Sequence, residues 1–148
     1  MLHVLFHAGV EIFAFPALRV ERVVPLASLK RLPGAPDAFA GLLLFRGSPV
    51  PVVDLVQLVQ GRASAEVLGS RILITVLDDG GGLGWIAESV RDTVWIDSSE
   101  FQTPPVRTDG APWLGKVASI KRGFVQCVEP SELITGEIRK LLRMRAAG

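Results

Sequence analysis

Glycine and proline punctuate this chain at short intervals over most of its length. Between them lie LHVLF, EIFAF, LLLF, PVPVVDL, RILITVL, LGWIA and FVQCV. Runs of that length, rich in β-branched and aromatic residues and bounded by turn formers, read as strands. With 15 Gly and 10 Pro in 148 residues, turn material falls every 8–12 residues or so, the pattern of small β-barrels. One domain over residues 1–148 is expected, all-β with accessory helices.

The hairpins follow from the punctuation. Met1–Phe6 and Val10–Phe15 flank Ala8-Gly9, and Leu42–Phe45 and Val50–Val53 flank Arg46-Gly47-Ser48-Pro49. Arg71–Leu77 returns through Asp78–Gly82 into Leu83–Val94, and Trp113–Ile120 pairs with Phe124–Val128 around Lys121-Arg122-Gly123. Pro51 has no amide hydrogen, so it belongs on an edge strand or at a bulge. Ala17–Val24 fits helix and strand equally. Asp54 is placed to cap a short helix ending near Gly61, and Pro130 to open a helix reaching about Arg143. A short repeat, GAP at 34–36 and 110–112, precedes each of the two hairpins with a basic tip.

Charge removes several functions. With 16 basic and 15 acidic residues the net charge is +1, so no field draws nucleic acid or an anionic bilayer. The N-terminal apolar run is broken by His7, Gly9 and Glu11 and has no charged head, so neither a secretion signal nor a spanning helix is indicated. The single Cys127 excludes an internal disulfide and, in an apolar strand, reads as an inert thiol. These features favour a cytoplasmic protein.

No catalytic constellation emerges. His3 and His7 on one strand lie about 13 Å apart, too far to share a metal, and read as solvated residues at a terminus. GLGWIA at 82–87 matches a loose dinucleotide fingerprint but continues a strand where that fingerprint must open a helix; its glycines read as turn residues needing positive φ. No serine sits in a G-x-S-x-G elbow. No cofactor is expected. What remains is surface: Arg46 and Lys121-Arg122 at hairpin tips could clasp a protein partner or could be solvated turns that discourage edge pairing.

The order of motifs adds to this. FAFP (13–16), VERVV (20–24), LPGAP (32–36), GLLLFRGSPVPVVDL (41–55), GWIAESV (84–90) and WLGKVASIKRGFVQCVEPSEL (113–133) stand in the order and spacing of the CheW family. The chain resembles that family over nearly its whole length. The resemblance implies two intertwined SH3-like five-stranded β-barrel subdomains with a C-terminal helix. It also implies a non-enzymatic adaptor between the cytoplasmic tips of methyl-accepting chemoreceptors and the regulatory domain of a CheA-type histidine kinase, recruited to membrane-associated receptor arrays. The other class left open is a small β-barrel module binding a ligand or nucleic acid.

The resemblance places the kinase and receptor contacts at Leu44, Phe45, Arg46 and Gly47, at Glu21 and Arg22, and at Asp54 and Glu88. The family's N-L-R-G turn is here Leu44-Phe45-Arg46-Gly47, more apolar at its first two positions. Its V-R-E-V-V stretch has the signs exchanged at Glu21 and Arg22. Its usual Val-Asp is Ala87-Glu88, and Glu129 replaces an Asp.

Overall fold

The computed structural model describes residues 1–78, 80–103, 116–121, 123–134 and 136–147. Among the described residues, eleven strands form two sheets. They are β1 Leu2–Ala8, β2 Glu11–Pro16, β3 Val20–Pro25, β4 Phe39–Phe45, β5 Ser48–Asp54, β6 Arg71–Val76, β7 Gly82–Ala87, β8 Ser89–Trp95, β9 Phe101–Gln102, β10 Lys116–Ile120 and β11 Gly123–Cys127. The described residues also form two α-helices, α1 Leu55–Gln60 and α2 Gly136–Ala147, and three short 3-10 turns. The second GAP, Trp113 and Arg122 lie outside the described residues.

One sheet has the order β8-β1-β2-β11-β10-β9, the other β3-β6-β7-β5-β4. The first takes strands from both ends of the chain and the second only from its middle, so the subdomains are intertwined as the resemblance implies. The expected five strands are found in one sheet, while the two-residue β9 makes a sixth in the other. Both sheets wrap apolar clusters without closing into a continuous ladder.

Each sheet is apolar on both faces, which explains why its strands read as unbroken apolar runs. Phe6, Phe13 and Phe15 from one sheet meet Leu73, Leu83 and Trp85 from the other in the largest cluster. Leu133, Ile138 and Leu142 of the C-terminal segment close it. Alternate residues on the same strands turn the other way, Leu5 and Ala14 into one smaller cluster and Val52, Ile72 and Ile74 into another. Trp85 is fully buried, and its indole donates to Thr75 Oγ1 at 2.9 Å.

Several expectations need correction. Leu83–Val94 is not one returning strand: β7 pairs in the middle sheet, and after the single residue Glu88 the chain continues as β8 in the other. Pro51 is in an interior strand, yet β5 pairs with β7 only from Val52 onward, so the missing amide costs no ladder bond there. Pro130 opens a 3-10 turn over Pro130–Leu133, and the α-helix starts only at Gly136. The ambiguous stretch divides into a 3-10 turn at Ala17–Arg19 followed by β3. Gly82 and Gly84 are strand residues, and the positive φ falls at Gly80; a Cβ on Gly84 would sit 3.0 Å from Val52 Cγ2 and 3.1 Å from Ile72 Cγ2, so close packing explains that glycine.

Candidate protein-docking site

The β4–β5 hairpin turns over two residues, Arg46 and Gly47, because Phe45 already pairs with Ser48. Both turn residues have positive φ, 52° and 80°, the type I′ geometry that matches the twist of paired strands. Glycine suits the second position. Arg46 is the one non-glycine residue with positive φ among the described residues, a conformation costing an L-residue about 1 kcal/mol or more. A strained residue at an exposed tip directs attention to its side chain.

That side chain is held on two sides. Its Nη1 donates to Glu21 Oε1 at 3.0 Å, and its guanidinium lies 4.9 Å from the Phe45 ring centroid. Glu21 reaches it because the β3–β6 register shifts between Val20 and Arg22, leaving Glu21 as the extra residue of a bulge. The pair links β3 to the turn that ends β4, and these two outer strands of the five-stranded sheet share no ladder. The exchanged signs at 21 and 22 thus leave the acid facing the arginine, with Arg22 exposed beside it.

The apolar pair at 44 and 45 divides. Phe45 is half-buried against the Leu43 and Ile74 cluster, whereas Leu44 is 75% exposed. Leu18, in the turn before β3, is also exposed. Arg19 joins Glu129 at 3.1 Å and Asp78 at 3.3 Å, tying the start of β3 to the segment after β11 and to the β6–β7 turn.

Asp54 and Glu88 lie at the other end. Since β5 and β7 run parallel, Ser48 lies toward the β6–β7 turn, and Asp54, beside Ile86, lies toward Glu88. Asp54 caps α1 as expected, its Oδ1 accepting from the amides of Val56 and Gln57. Its other oxygen accepts from the Ser64 amide at 2.9 Å. Glu88 Oε1 accepts from the Gly9 amide at 2.7 Å and Oε2 from the Ala65 amide at 2.7 Å, while Arg62 forks across both oxygens at 3.1 Å. Those Arg62 bonds, helped by the Ala65 and Gly9 amides and opposed by burial, hold the Glu88 carboxyl at about 2. Arg62 is correspondingly pushed up by its bonds to Glu88. Both carboxylates are buried and spent on internal donors.

A family model described as CheW-like domain matches residues 2–137. The chain belongs to the CheW-like domain family. It is also similar to a chemotaxis protein CheW of Treponema pallidum (strain Nichols), 22% identical over 149 aligned residues that span 95% of this chain and 86% of the relative. The crystal structure of the scaffolding protein TtCheW from Thermoanaerobacter tengcongensis superposes with a TM-score of 0.81 at 24% identity, covering 93% of this chain and 89% of that one. That similarity shows the CheW fold.

Within this CheW-like chain, the sites read from sequence therefore form two groups. Leu44, Phe45, Arg46, Gly47, Glu21 and Arg22 come together at one end; Asp54 and Glu88 are internal at the other. His3 is not solvated as expected: it is buried, stacked edge-on against Phe101 at 5.5 Å, and burial lowers its pKa. Cys127 is half-buried and its thiol is pushed up to about 11 by burial, as suits an unreactive cysteine. Sequence reasoning missed Arg19 and Arg62, whose partners are 110 and 26 residues away. No local spacing signals either pair. Among the described residues, no helix is long and apolar enough to cross a membrane.

Proposed function

We propose that this chain is a non-enzymatic scaffold coupling the cytoplasmic tip of a methyl-accepting chemoreceptor to the regulatory domain of a CheA-type histidine kinase, within membrane-associated receptor arrays. Membership of the CheW-like family supports the class of function. The observation that carries the reading to residues is Arg46: a strained arginine, exposed at a hairpin tip and held in place by Glu21 and Phe45. Its planar fork is presented already ordered, so little side-chain freedom is lost when a partner carboxylate or carbonyl meets it.

Leu44 sets the apolar part of the contact. Because Phe45 turns inward and Leu44 outward, one apolar side chain and one guanidinium share the tip. The partner surface that fits is an apolar patch beside an acceptor. Asp54 and Glu88 act indirectly, by shaping the elements that carry the contacts.

The test is binding of purified protein to a receptor signalling-tip fragment and to the kinase regulatory domain from the same organism. Arg46→Glu is expected to weaken at least one contact and Leu44→Asn the same one. Absence of binding to both partners at high micromolar concentration would end the adaptor reading.

A further inference from the structure

A scaffold that presents two partners at a fixed geometry needs its two sheets to keep one orientation. The packed core between them restricts that orientation, and directional polar contacts across the sheets add to it. Directional polar ties between the sheets occur at both ends, about 20 Å apart along β7 at about 3.3 Å per residue. At the Arg46 end the tie is Arg19 with Glu129, whose side chains are 40% and 39% exposed. Exposed pairs of this kind are weak and screened by salt.

At the other end the tie is Glu88. It is the single residue between β7 of one sheet and β8 of the other, and its side chain is only 11% exposed. Its carboxylate holds the β1–β2 turn through the Gly9 amide and the segment after α1 through Arg62 and the Ala65 amide. Its own carbonyl accepts from Ser70 Oγ, and its amide donates to His7 O at 3.1 Å. Gln60 adds a bond from α1 to Ala8 O at 2.6 Å. Gly9 has φ 65°, a left-handed conformation that favours glycine at this turn, and a Cβ there would displace the Gln60 amide group.

We infer that Glu88 is a positioning residue that fixes the orientation of the six-stranded sheet against the five-stranded one, while the Arg19 tie at the opposite end contributes little to it. The functional consequence rests on the adaptor reading: two partners are presented at a fixed geometry. The orientation itself is measured on the protein alone, so a missing partner would sink the adaptor reading and leave this one standing.

The experiment places spin labels at Thr93→Cys in β8 and Ser48→Cys in β5, with Cys127→Ser, and reads the inter-sheet distance distribution. Glu88→Gln is expected to broaden or shift it, with hydrogen exchange at the Gly9 and Ala65 amides accelerating about tenfold. Arg19→Gln is expected to leave the distribution as it is. Each partner should still bind Glu88→Gln singly, while their joint complex is lost. An unchanged distribution in folded Glu88→Gln would overturn the inference, as would Arg19→Gln broadening it equally. If Glu88→Gln fails to fold, Arg62→Gln carries the test: it should broaden the distribution, and an unchanged one would refute the role of the Glu88 clamp.

Discussion

Arg46→Asn separates docking from folding. The native residue sits at φ 52°, which costs an arginine about 1–2 kcal/mol, and asparagine tolerates that region far better. Against that relief stand two losses. The Arg46–Glu21 pair has side chains 57% and 38% exposed, so it is worth about 0.2–1 kcal/mol. The guanidinium over Phe45 is worth about 0.5–1 kcal/mol at such a site. The terms nearly cancel, and urea unfolding of Arg46→Asn should give a stability within about 1 kcal/mol of the parent. Calorimetric titration with the kinase regulatory domain and the receptor fragment should show at least about a tenfold loss for one of them, about 1.4 kcal/mol. A stability loss above about 2 kcal/mol would make Arg46 a structural closure of the middle sheet. Full retention of both affinities would remove it from the docking surface.

The Glu88 carboxyl, held at about 2 against an ordinary 4.5, adds up to about 3 kcal/mol that is fully present above pH 4.5 and is lost as pH falls toward 2. Denaturant midpoints for the parent and Glu88→Gln should therefore differ at pH 7 and converge near pH 2; a constant gap would show that the carboxylate's charge is irrelevant. Gly84→Ala should cost about 1–3 kcal/mol in thermal unfolding, since its methyl would press on Val52 and Ile72, and a neutral result would mean that these neighbours yield freely. Asp54→Ala should cost about 1–2 kcal/mol through the lost cap and the unpaired Ser64 amide, with faster exchange confined to the start of α1 and residues near 64. Exchange unchanged at Val56 and Gln57 would contradict that assignment.

The features legible in the sequence are those whose physics is local. Asp54 before an apolar stretch and Gly61 after it mark α1 because capping is settled within one turn of helix, and Gly61 indeed closes it at φ 72°. The Arg46-Gly47 tip is legible for the same reason. The change of sheet at Glu88 is not legible, because ESV continues the strand-like pattern of GWIA, and nothing in that pattern says which neighbour the next residues pair with. The burial of His3 escapes local reading on similar grounds. Its burial comes from β1 lying between β8 and β2 and from Phe101, contacts that LHVLF does not announce.

The same distinction separates the two groups of site residues. At the Arg46 end the ionic contacts are side chains on the surface, so exchanging them changes what the protein meets at modest cost to the fold. At the Glu88 end, carboxylate oxygens accept from backbone amides of segments far apart in the chain, and removing the acid leaves buried donors unpaired. Substitutions at Leu44 therefore cost the fold little, since its side chain is exposed. At position 88 an acid is required, because no other side chain offers two charged acceptor oxygens to the Gly9 amide, the Ala65 amide and the Arg62 fork at once. Substitutions that retune partner choice should therefore concentrate at the Arg46 end, and substitutions at Glu88 should change the geometry in which any partner is held.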